Sequence, residues 1–140
     1  MSDAARMRVW ALLARVRELR VERARRQVSD ARAGVQQAAA QVARQREAVA
    51  AHEAARVAIL AACSSGNPGA PLWRMALHRH DAGKSALEQA FAAARHASEN
   101  AQGEVASALH ELQREMRGLD DARERTRGLA AEQDDSDPDD

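Results

Sequence analysis

Bulky side chains are scarce in this chain of 140 residues, which holds no tyrosine, a single phenylalanine, Phe91, and two tryptophans, Trp10 and Trp73. More than half of its apolar 45% is alanine, and alanine buries little area at roughly 25 cal/mol per Å². That excludes a compact globule built around large core residues and directs attention to long helices, which Ala, Arg, Glu, Gln and Leu favour by intrinsic propensity. Cysteine is limited to Cys63, so no internal disulfide can form and a reducing compartment is expected, with Cys63 as a small buried hydrophobe. No stretch approaches 18 uncharged apolar residues, and the N-terminus lacks an apolar signal core, so the expectation is a soluble, cytoplasmic protein with no direct membrane insertion.

Catalytic patterns are also missing. The glycines are isolated, and GNPG at 66–69 is not followed by the Lys-Ser or Lys-Thr of a phosphate loop. Metal-ligating pairs on a helix need i, i+3 or i, i+4 spacing, whereas His78 and His80 are two apart and His52, His96 and His110 have no histidine near them in sequence. Ser64 and Ser65 sit in a breaker loop without an oriented base. The expectation is a protein that is not an enzyme and takes neither metal nor cofactor.

What is present is a heptad. Valine recurs at Val21, Val28, Val35, Val42 and Val49, with Ala24, Ala31 and Ala38 three residues after the first three. Such a repeat keeps one narrow stripe toward a partner helix, because 3.5 residues per turn suits a slightly underwound α-helix. A second ladder follows in the other half: Leu77, Lys84, Phe91, Ser98, Val105, Leu112, Leu119 and Thr126, with a companion row His80, Leu87, Ala94, Ala101, Ala108, Glu115, Ala122 and Leu129. Lys84, Ser98, Glu115 and His80 are imperfections, and Leu109 and Met116 widen the stripe. Alanine along one row of each helix permits close approach, so a bulky residue at Ala31 or Ala101 is expected to pry the pair apart.

Between the ladders lies the one strong breaker cluster, from Ser64 to Pro71. Two helices of equal length, each on the order of 90 Å at 1.5 Å per residue, can fold back across it. The expected fold is therefore all-α, a long antiparallel two-helix coiled-coil hairpin over residues 1–131, monomeric, with helix one at about 3–62, a loop at about 63–71 and helix two at about 72–131. Gly83, Gly103, Gly118 and Gly128 weaken the second helix, and a bend is expected at His80 to Gly83. Residues 132–140, EQDDSDPDD, read as a disordered acidic tail.

Charge sums to zero but is unevenly placed: nine arginines lie between Arg6 and Arg32 against Glu18, Glu22 and Asp30. Lys84 is the only lysine, so positive charge is carried by guanidinium groups, which grip carboxylates at two points. One reading is a solvated, ion-paired face; the other is contact with an acidic partner. A lipid contact by Met7, Val9, Trp10, Leu12, Leu13 and Val16 is opposed by continuity of that face with the heptad seam. Nucleic acid is not expected, since aromatic stacking platforms are missing.

The run LLARVRELRVERARR at 12–26, with Val16, Arg17, Leu19, Arg20, Arg23 and Ala24, resembles the opening of the FliJ/YscO family of type III secretion and flagellar export stalk proteins. Length, two long helices and a mid-chain breaker followed by PLWRMAL, with Leu72, Trp73, Met75 and Leu77, are similar to that family's plan. The resemblance covers about 25 residues in motif and nearly the whole chain in architecture, and coiled coils share composition without shared ancestry. It implies a stalk that inserts its termini into an export ATPase ring and meets an export-gate membrane protein's cytoplasmic domain or secretion chaperones farther along. On it, Arg15, Arg17, Arg20, Arg23 and Arg25 would face the ring, and Leu72, Trp73 and Met75 the gate or a chaperone. The alternatives left standing are a generic coiled-coil scaffold or oligomerisation module for the chain, a loop-end cap on Ile59 and Leu60 for Trp73, and a terminal seam position for Trp10. A triple charge reversal at Arg17, Arg20 and Arg23 is the mutation this reading suggests.

Overall fold

A computed structural model describes residues 2–64, 66 and 68–136, with the Ser136 side chain set aside, and among these residues every regular element is a helix. The first, α1, spans Asp3–Ser64; α2 spans Ala70–Ala82; α3 spans Lys84–Ser136. Ser2 starts α1: its hydroxyl accepts from the Ala5 amide at 3.2 Å, satisfying one of the orphan donors of the first turn, and Asp3 sits favourably at the positive end of the helix dipole. Beyond Ser64, Gly66 adopts φ +68°, a left-handed conformation that glycine enters without a Cβ penalty. The helix resumes at Ala70, two residues earlier than expected, because Pro71 falls in the first turn, where its missing amide proton costs nothing.

The expected second helix is two. Gly83 separates α2 from α3, at the bend anticipated between His80 and Gly83, with its amide donating to the His80 carbonyl at 3.1 Å. The tail expectation needs correcting as well. Residues 132–136 continue α3, and only 137–140 of the acidic segment lie outside the described residues. No proline interrupts that helix before Pro138, and its acids are tolerated on a surface open to water.

The chain divides into two compact units. Unit 1 is formed by the described residues of Met1–Arg32 and Gly103–Asp140. In it α1 and α3 run antiparallel: Trp10 meets Arg125, Arg17 meets Gly118, and Val28 lines a groove with Leu109 and Leu112. Its sealed core is small, consisting of Val21, Ala24, Val28, Leu119 and Ala122. Unit 2, Ala33–Gln102, pairs the rest of α1 with α2 and the start of α3; Arg46 meets Phe91 and Arg56 meets Asp81, again antiparallel. Its buried centre is Ala94.

Both heptad ladders reappear as burial. Every residue of the second-half rows is buried or half-buried except Lys84, and Val35, Val42 and Val49 are half-buried. On the alanine rows, Ala24, Ala94 and Ala122 are buried, whereas Ala31 and Ala101 are half-buried. Met116 stays exposed and does not widen the seam.

Candidate interaction surfaces

In unit 1, α1 carries two apolar stripes, not one. The heptad runs back from Val21 through Ala14 to Met7, with Trp10 and Arg17 on its second row, and this side faces α3. Trp10 is half-buried, with the Arg125 guanidinium 4.8 Å above its ring, which assigns it to the seam. Val9, Leu12, Val16 and Leu19 lie on the opposite side at 45–68% exposure. They follow a three-four-three spacing, the geometry of a second seam. The apolar face that sequence reading joined into one is thus split, and the argument that it already has a partner holds only for Met7, Trp10 and Leu13.

The five arginines assigned to a ring contact do not share a face. Arg15 donates to Glu18 at 3.1 Å. Arg17 turns toward α3, where its guanidinium occupies the space a Cβ at Gly118 would take. Arg20 and Arg23 border an open groove with Ala24, Gln27, Glu111 and Glu115, while Arg25 borders another with Val28 and Leu112. Helical spacing explains the spread, since positions 15, 17, 20, 23 and 25 fall all round a helix. Glu18 also accepts from Arg123 of α3 at 3.4 Å. The Arg15 and then the Arg123 hydrogen bonds hold its carboxyl below the usual range.

In unit 2, Leu72, Trp73 and Met75 stand near the start of α2 and are all exposed, Leu72 at 72% and Trp73 at 40%. Toward the other end of α2 lies a clasp that sequence reading missed. His52 of α1 and His80 of α2 stack with ring centroids 3.6 Å apart and planes 13° from parallel. The His52 Nε2–H donates to the His80 carbonyl at 2.9 Å, and the His80 Nε2–H donates to the His52 carbonyl at 2.7 Å. A carbonyl only accepts, so both rings carry the proton on Nε2. One turn further, Arg56 donates to Asp81 through Nε at 2.8 Å and Nη2 at 3.4 Å. Those bonds lower the Asp81 carboxyl and raise the Arg56 guanidinium.

The clasp acts on the helix break. The His80 carbonyl sits in the last turn of α2, where helical partners run out, and it receives both the Gly83 amide and the His52 ring. A signal for it existed in the sequence: two heptads past Ala38, the alanine row reaches His52, and His80 heads the companion row. Searching for histidines close in sequence could not find partners 28 residues apart.

Among the described residues, no group of three or more His, Cys, Asp or Glu side chains is placed to hold a metal ion, and no helix is long and apolar enough to cross a membrane. Comparison of the chain with protein-family models, with curated proteins and with solved structures returned no match.

Proposed function

We propose that this chain is a non-enzymatic coiled-coil stalk of a type III secretion or flagellar export apparatus, working in the cytoplasm beside the membrane-bound machinery. It links the export ATPase ring to the cytoplasmic domain of the export gate, with secretion chaperones as further partners. The observation that carries this reading is the antiparallel pairing of α1 with α3 in unit 1, which sets the arginine-rich start of the chain beside the end of α3. A stalk entering a ring by its termini offers such a paired end. The motif at 12–26 and the exposed Leu72, Trp73 and Met75 support it further.

Arg17 is a poor choice for a charge reversal, because it packs at Gly118. Arg15→Glu, Arg20→Glu and Arg23→Glu together are the appropriate variant, and they are expected to weaken capture of the export ATPase while leaving gate binding intact. Trp73→Ala is expected to do the converse. If both variants bind ATPase and gate as the wild type does, the reading falls. The second reading, a generic scaffold or oligomerisation module, draws on the exposed spacing of Val9, Leu12, Val16 and Leu19. Sedimentation over a range of concentrations separates the two, since a stable dimer supports the scaffold.

A further inference from the structure

We infer that the outward stripe Val9, Leu12, Val16 and Leu19 is a docking seam for an amphipathic helix of another protein, one whose own apolar stripe is flanked by acidic residues. The inference does not depend on the stalk reading. The stripe has the three-four-three spacing that knobs-into-holes packing requires, over about 15 Å of helix. It is not spare core, for α1 already meets α3 through Trp10, Arg17, Val21 and Ala24 on the other side. Four large aliphatic side chains left in water at helical spacing cost solvation that a partner helix would recover.

Charge selects the occupant. Helical spacing puts Arg8 and Arg15 along one margin of the stripe and Arg6 and Arg20 along the other. Arg6 lies 3.9 Å from Asp3 and Arg15 is bonded to Glu18, whereas Arg8 and Arg20 make no ion pair among the described residues. Past Leu19 the stripe positions pass to Arg23 and Arg26, which also make none; the first acid of α1 on either margin is Glu22, and Glu111 and Glu115 of α3 line a groove with Arg20 and Arg23 only at this far end of the stripe. A helix flanked by glutamate or aspartate meets guanidinium groups on both sides, in the two-point geometry that carboxylates accept. A second copy of this chain would set arginine against arginine, so self-pairing is opposed. A lipid surface suits the stripe less well: it is four aliphatic residues wide with no aromatic, and the neighbouring Trp10 is turned to α3 beneath Arg125.

The test uses the full chain and two labelled synthetic peptides of roughly 21 residues, long enough to hold a helix. Both have leucine and isoleucine at the seam positions; one has glutamate at the flanks and the other lysine. Fluorescence anisotropy should show the glutamate peptide binding at least about tenfold more tightly than the lysine peptide, a difference that shrinks with added salt. Leu12→Glu with Val16→Glu should remove binding while circular dichroism stays unchanged, because both side chains are exposed. Arg8→Glu, Arg15→Glu and Arg20→Glu together should reverse the preference toward the lysine peptide. Equal binding of the two peptides, or binding indifferent to Leu12→Glu and Val16→Glu, overturns the inference. So does capture by phosphatidylserine vesicles without peptide binding, which assigns the stripe to lipid, and so does a stripe-dependent dimer in light scattering, which assigns it to a second copy.

Discussion

At the scale of single residues, the histidine pair makes the sharpest demand on chemistry. Each ring spends its only neutral-form donor on the other helix's backbone, so both side chains must hold the same tautomer at once. Nitrogen-15 correlation spectra are expected to report Nε2–H for both His52 and His80. Substituting His52 by alanine removes the stack and one of the two bonds, and is expected to cost about 1–2 kcal/mol in denaturant unfolding. The neighbouring Arg56–Asp81 pair gives a pH dependence of definite sign. Arg56 lowers the folded-state value of Asp81, so the stabilisation is complete above the unfolded carboxylate range and is lost as pH falls through the lower folded value. Melting temperatures of the wild type and Asp81→Asn should therefore differ most above the ordinary carboxylate range and converge as pH falls through the lowered folded-state value.

At the scale of elements, α3 is the helix with room for improvement. A Cβ at Gly103 or Gly128 would meet nothing within 4 Å, so alanine at either should stabilise the fold by about 0.5–1 kcal/mol through helix propensity alone. Gly118→Ala should gain less, because the Arg17 guanidinium must first swing aside, and the shortfall should vanish in an Arg17→Ala background. Thermal melts of the single and double variants check both statements. The elements were also what the sequence displayed best. The heptad rows, the loop and the bend at Gly83 all followed from spacing and breaker residues, since a seam must repeat every 3.5 residues wherever it is buried. The second stripe of α1 was hidden because Val9, Leu12 and Val16 interleave with Met7, Trp10 and Leu13. Only extending the register back from Val21 separates them. The helical character of 132–136 was hidden for the opposite reason, in that composition spoke against packing while an exposed helix extension needs none.

At the scale of the whole molecule, the stalk reading expects a chain that stays monomeric across a concentration series in sedimentation, with the two halves pairing within one polypeptide. Each of the two units is built from segments far apart in sequence, and α1 and α3 both contribute to each. The partners were never legible in the fold: composition and periodicity specify a seam, whereas a docking surface depends on which side of a helix the seam leaves over. The arginines illustrate this, since their number was plain in the sequence but their spread around α1 was not.

Among the described residues the most enclosed side chains are alanines, Ala122 retaining 1% of its surface and Ala24 2%, against 4% for Val21 and 7% for Leu119. This extends mutational sensitivity to the smallest side chains of the seam. Shortening Leu119 leaves a cavity and costs about 2–5 kcal/mol, as in any core, but here the alanines are equally constrained: enlarging Ala24 or Ala122 to leucine has no slack to absorb it and should cost about 1–3 kcal/mol. A saturation mutagenesis scan read by folding yield should therefore show Ala24 and Ala122 as intolerant of enlargement as Leu119 is of truncation, so that the molecule's durability is guarded in part by residues that contribute almost no bulk to it.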